Sequence, residues 1–122
     1  VVRLYFNGDT TDTNYQTQWS YASGSSNSAG VVTYPLFALA RSPAGGANSA
    51  SGFVGCVPDY ANTANRAVFE SRLMAWKHTG NVSQMEEHAG VWLDSVDAVT
   101  SVLLSPATTT LAAGSSFSVW VR

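Results

Sequence analysis

Large apolar residues alternate with polar or small ones in short stretches along most of the chain, the period of two that marks strands with one buried face. Val1-Val2-Arg3-Leu4-Tyr5-Phe6 at the start and Ser115-Ser116-Phe117-Ser118-Val119-Trp120-Val121 at the close both read this way. Both ends are therefore expected in the folded sheet. Between them, residues 16–22, 31–39, 52–57, 82–88 and 98–104 form further β-like runs, set apart by Gly, Ser, Asn and Pro clusters. Such spacing predicts an all-β fold, an antiparallel β-sandwich or barrel. Residues 24–30 and 42–49 are rich in Gly, Ser and Ala and read as flexible loops; neither has the setting of an interdomain linker.

Residues 62–78 are ambiguous. Val68, Phe69, Arg72, Leu73 and Trp76 fall at helical spacing, with Asn62 or Thr63 as a cap and Gly80 as a stop. The same stretch alternates Val68, Glu70, Arg72, Met74 and Trp76 against Phe69, Ser71, Leu73 and Ala75, as a strand covered on both faces does. Local sequence leans to helix, whereas the all-β surroundings argue for strand.

Composition narrows the partners. The 122 residues suit a single domain spanning 1–122. Only 11% are charged and the formal net charge is −2, so the surface is neutral and rich in hydroxyls. No basic patch points to nucleic acid or to an anionic membrane. No apolar stretch approaches the ~20 residues of a membrane span, and none reads as a signal peptide. Low charge together with four Trp, five Tyr and five Phe suits a subunit of an assembly.

Candidate chemistry is sparse. Cys56, within Phe53-Val54-Gly55-Cys56-Val57, reads as a small buried hydrophobe, since a disulfide needs a second cysteine and a nucleophile needs a base. His78 and His88, with Glu86 and Glu87 beside the second, fall short of a zinc ligand set and read as exposed strand-end or loop residues. No Gly-x-Ser-x-Gly elbow supports a Ser-His-Asp nucleophile. Asp9 with Asp12, and Asp94 with Asp97, are the paired carboxylates a glycosidase would need, but they lie in turn-rich stretches where Asx side chains bond their own backbone. The oxygen-rich run Asn7-Gly8-Asp9-Thr10-Thr11-Asp12-Thr13-Asn14 lacks the spacing of an EF-hand, and no Gly-rich phosphate loop occurs. No catalytic, cofactor-binding or metal-binding residue is assigned, and the chain reads as a binding or structural module with no cofactor.

Three islands carry a resemblance: Arg3-Leu4-Tyr5-Phe6-Asn7-Gly8-Asp9-Thr10 with Asn14-Tyr15; Val57-Pro58-Asp59-Tyr60-Ala61-Asn62-Thr63; and Gly90-Val91-Trp92, Ala98-Val99-Thr100-Ser101-Val102-Leu103-Leu104 and Ala113-Gly114-Ser115-Ser116-Phe117-Ser118-Val119-Trp120. In this order they resemble a family of tailed-bacteriophage virion structural proteins, of head-decoration, cement or tail and fibre type. The resemblance implies a jelly-roll-like all-β subunit, usually a homo-oligomer, and a strand after Asn62-Thr63. The family carries chain upstream of the opening motif and ends on Leu-Tyr-Gly where this chain has Trp120-Val121-Arg122. It thus implies either an N-terminal segment before Val1 or a different pairing of residues 1–6 here; if a segment is missing, strand 1–6 has an exposed edge, and this strand or strand 115–121 beside it is expected at or next to a subunit contact. The motifs themselves read as architectural, with Gly8 at positive φ in a tight turn.

The expected function is that of a non-enzymatic virion protein, a capsid decoration or cement protein that stabilises the head by contacts with the major capsid protein, as a homotrimer. The alternative is a tail or head-fibre module that binds a host-surface glycan, with Trp19, Tyr21, Tyr34, Trp76, Trp92 and Trp120 as candidate stacking residues. A small hydrolase is a third, minor reading.

Overall fold

The computed structural model of the chain describes residues 2–38, 50–77, 82–107 and 116–120. Eight strands and one 3-10 turn, Asp12–Asn14, follow in order: β1 (Val2–Phe6), β2 (Tyr15–Ser23), β3 (Ser26–Val32), β4 (Leu36–Ala38), β5 (Ala50–Cys56), β6 (Val68–Lys77), β7 (Val82–Trp92) and β8 (Val102–Pro106). They form two antiparallel sheets, β4-β1-β8 and β3-β2-β7-β6-β5. The expected all-β antiparallel sandwich is the architecture. β8 pairs with β1 and β7 with β2, while β2–β3 and β5–β6–β7 are joined to their sequence neighbours as hairpins.

The inner layer follows from alternation. Tyr15 and Thr17 on β2, Phe69, Ser71 and Leu73 on β6, and Gln84, Glu86, His88, Gly90 and Trp92 on β7 all turn inward. Against them stand Leu4 and Phe6 of β1 and Phe37 of β4. Phe6 is the hub, edge-on to Phe69 and Trp92 at 6.0 and 5.9 Å between ring centroids. Burying each such ring contributes roughly 1.5–3 kcal/mol. Gly90 makes room for Phe69, because a Cβ there would come within 2.0 Å of Phe69 Cζ.

Several expectations change. The strand reading of residues 62–78 holds over Val68–Lys77, which form β6, whereas the chain before it is irregular to Ala67; β6 is not covered on both faces, since Val68, Glu70, Arg72 and Met74 are exposed. Residues 24–30 are not a loop, since β3 begins at Ser26 after a two-residue Gly24-Ser25 turn with Gly24 at φ 59°. Cross-strand pairing with β2 overrides the weak β propensity of Ser, Asn, Ala and Gly. Residues 31–39 are split at Pro35, which carries the chain from one sheet to the other. Thr17 fixes that crossing: its hydroxyl donates to Tyr34 O (2.9 Å) and accepts from Leu36 N (3.1 Å).

The closing run 98–104 becomes a strand only from Val102, and residues 116–120 are exposed and lie in no strand. The expectation of an edge at strand 1–6 is also overturned. β1 is the middle strand of its sheet, flanked by β4 and β8, so its ladder is paired on both sides. The loop expected at 42–49 lies outside the described residues.

Candidate functional site

Two places concentrate chemistry: a polar knot at one end of the sandwich and the outer face of the five-stranded sheet. The knot begins at the Phe6-Asn7-Gly8-Asp9 turn, where Asn7 and Gly8 both have positive φ (51° and 79°) and Asp9 N donates to Phe6 O at 2.9 Å. Asn and Gly are the residues that tolerate this backbone. With its backbone so turned, Asn7 faces the β7–β8 connection. Its Nδ2 donates to Ala98 O (2.9 Å), and its Oδ1 accepts from Thr100 N (2.8 Å) and Ser101 N (3.1 Å).

Asp9 does the same for β7 and the 3-10 turn. Its carboxylate accepts from Thr11 N (3.1 Å), Asn14 Nδ2 (3.0 Å) and the Trp92 indole N–H (2.7 Å). Partial burial pushes its pKa up, but those three donors outweigh burial and hold it below the usual carboxylate range. Tyr15 closes the knot, its hydroxyl donating to Asp9 O and accepting from Phe6 N, both at 2.9 Å. Burial pushes the phenol up to about 12. Asp12 lies alongside, taking Arg3 at 2.6 Å and the Tyr5 hydroxyl at 2.7 Å. The middle island joins through Tyr60, whose carbonyl accepts Val99 N at 2.7 Å.

Residues of all three islands, distant in sequence, thus meet in one place, and their polar groups bond one another. The Asp9 and Asp12 oxygens, candidate calcium ligands or acids by sequence, face N–H and O–H donors. Among the described residues no group of three or more His, Cys, Asp or Glu is placed to hold a metal ion. Asp97 accepts the Ser95 hydroxyl at 2.7 Å in an exposed turn, and Asp94 is exposed beside it.

Two residues exchange the environments expected of them. His88 is not an exposed strand end: its side chain is fully buried on the inner face of β7. Cys56 is not a core residue: it is exposed on β5. Ser71 donates its hydroxyl proton to Phe37 O, so its oxygen accepts from His88 Nδ1 at 3.2 Å. His88 Nε2 faces Glu86 Oε2 at 3.5 Å, and Gln84 Nε2 donates to Glu86 Oε1. Burial pushes the imidazole down to about 4 and keeps it neutral at pH 7. Serine, histidine and glutamate follow one another here, but Ser71 is 3% exposed and its proton is committed to a backbone carbonyl. This cluster fixes β6 to β7 and to β4. The signal for it lay in phase: Gln84, Glu86 and His88 share parity with Trp92, so burying the indole buries them. His78 lies outside the described residues.

The outer face of the five-stranded sheet differs in kind. Val54 (70% exposed), Met74 (69%), Val31 (59%), Met85 (58%) and Val68 (43%) project from it into solvent. Gln16, Gln18, Ser20, Ala22, Ala29 and Ala89 fill the spaces, and the charged residues are Glu70, Arg72 and Glu87. Arg72 and Glu87 pair at 3.2 Å, fully in solvent. Cys56 donates to Glu70 Oε1 at 3.2 Å, and burial together with that carboxylate pushes the thiol pKa up.

Of the candidate aromatics, Trp92 is in the core, Tyr34 is half-buried with Arg3 5.0 Å over its ring, and Trp120 is 85% exposed. Trp19 and Tyr21 are half-buried with parallel rings 5.9 Å apart. The side chain of Trp76 lies outside the described residues. Comparison with models of known protein families, with curated proteins and with solved structures finds no match to this chain.

Proposed function

We propose that this chain is a non-enzymatic structural subunit of a bacteriophage virion, a homotrimeric capsid decoration protein that docks on the major capsid protein. The observation that carries the docking is the outer face of the five-stranded sheet. Five large aliphatic and thioether side chains stand exposed there, spread over β3, β7, β6 and β5. Interface cores are enriched in Met and large apolar groups, and this face carries both, with Glu70 and the Arg72–Glu87 ion pair between them. Exposed apolar groups rimmed by polar residues mark a protein contact where they adjoin, as Met74 and Met85 do across β6 and β7. The resemblance of the three islands to virion proteins supplies the identity of the partner, and their convergence in one hydrogen-bonded knot supports an architectural role for them.

The test is co-sedimentation of the purified protein with shells that lack it. The wild type is expected to pellet with the shells at saturable stoichiometry, and the Val54→Lys/Met74→Lys double variant, folded as judged by its melting transition, is expected to remain in the supernatant. Wild-type protein that never pellets, or a double variant that binds equally well, would overturn the assignment. The homotrimer is read by sedimentation equilibrium, where a monomer on the particle as well as in solution contradicts it.

A further inference from the structure

Each sheet ends in two strands with one side unpaired: β4 and β8 in the smaller, β3 and β5 in the larger. Such edges pair with other chains unless something blunts them. β4 is three residues long and meets an irregular register at Val2/Arg3, β8 ends on Pro106, and the Phe117 ring packs on Phe53 of β5 at 5.7 Å. β3 has none of these devices. Its seven residues, Ser26–Val32, hold no proline and no charge, and they pair with β2 in unbroken register. Ser23 and Ser26 flank the two-residue turn as a hydrogen-bonded pair, so the alternation of an antiparallel ladder turns the N–H and C=O of Ser28, Gly30 and Val32 toward β2. Those of Asn27, Ala29 and Val31 point away. All three residues are exposed, and among the described residues no other element makes a backbone hydrogen bond to them.

We propose that the free edge of β3 pairs antiparallel with β3 of a second copy of this chain, about a two-fold axis through Ala29. In that register Ala29 faces its own counterpart and Asn27 faces the partner's Val31, so every outward N–H and C=O of the strand is matched. A shift of two residues either way sets Asn27 or Val31 opposite a residue beyond the strand. Ser28 and the partner's Gly30 meet at the non-bonded positions, where side chains approach most closely, and both are small. The strand is thus complementary to itself, as an isologous contact requires. β2 stands between this edge and Glu86 and Glu87 of β7, so no carboxylate meets its like across the axis. Pairing joins the two larger sheets into one and covers part of Val31, 59% exposed in the single chain. In a homotrimer the same contact links one trimer to the next. It is separate from Val54, Met74 and Met85, and it stands whether or not the outer face docks on a capsid.

The test is sedimentation equilibrium of the purified full chain over a concentration series, with amide hydrogen exchange at each concentration. The wild type is expected to gain mass as concentration rises, with exchange slowing at Asn27, Ala29 and Val31. Asn27→Lys/Val31→Lys sets lysine opposite lysine on both sides of the axis and is expected to weaken pairing about tenfold or more. Asn27→Lys/Val31→Glu sets lysine opposite glutamate and is expected to restore pairing, a rescue that neither a foreign strand nor another register gives. Ala29→Pro removes an outward N–H, leaves the β2 ladder whole, and is expected to melt near the wild type yet no longer pair. Val54→Lys/Met74→Lys is expected to pair as the wild type does, so loss of shell binding and loss of this contact are read apart. Asn27, Ala29 and Val31 amides that exchange alike at every concentration up to the low-millimolar range overturn the proposal. So does pairing that the lysine–lysine variant keeps or the lysine–glutamate variant loses.

Discussion

Asn7 holds the polar knot from a backbone conformation, φ 51°, that costs most residues about 1–2 kcal/mol. Asn7→Ala adds that strain to the loss of its side-chain bonds to Ala98, Thr100 and Ser101, so unfolding in urea is expected to show about 2–4 kcal/mol less stability. An unchanged midpoint would remove the knot from the account. His88 gives a pH signature. Its folded pKa of about 4 lies below the unfolded 6.5, so the unfolded chain binds the extra proton between those values. Stability is complete above pH 6.5 and falls as the pH drops toward 4, by about 3 kcal/mol at ~1.36 kcal/mol per pH unit. His88→Gln is expected to flatten that slope in thermal melts across the window. Cys56 beside Glu70 is expected to react with iodoacetamide only at higher pH than an ordinary thiol, and Glu70→Gln to move its profile down. The Asn7-Gly8 turn was legible in the sequence because backbone chemistry is local. His88 and Cys56 were misplaced because each was judged by its neighbours in sequence, whereas the parity of its strand decides which way it faces.

Strand β7 shows how element-scale packing restricts sequence. Gly90 sits under Phe69, so Gly90→Ala forces the ring aside and is expected to cost about 1–3 kcal/mol as an overpacked core does. Gly52, with nothing within 4 Å of its Cβ position, is the control, and Gly52→Ala is expected to melt near the wild type. Equal losses at both positions would mean that strand entropy, not the Phe69 contact, is being measured. Strand existence was readable where alternation was strong, as in β1 and β2. β6 looked helical because Val68, Phe69, Arg72, Leu73 and Trp76 satisfy both periods, and only its pairing with β5 and β7 settles the choice. β3 was hidden because Ser-Asn-Ser-Ala-Gly carries no strand signal and is held by its partner β2. The break at Pro35 was visible as a proline but not as a change of sheet.

At the scale of the molecule, the sandwich separates its duties. The interior holds an aromatic core around Phe6 with a smaller cluster of Val2 and Leu73 beside it, the knot ties the connections at one end, and Val31, Val54, Val68, Met74 and Met85 stand exposed on the outer face of the larger sheet. Nothing in the order of residues announced that face, because Val31, Val54, Val68, Met74 and Met85 come from four strands and each alone looks like a core residue. Assembly of the sheet in register brings them together and leaves them outside. The central claim, that this face seats the protein on a viral shell, is tested most directly by electron cryo-microscopy of the intact particle. The account predicts trimeric density on the outer surface of the head, with Val54, Met74 and Met85 against the major capsid protein. Density in which that face looks into solvent, or a particle that contains no copy of the chain, would contradict it.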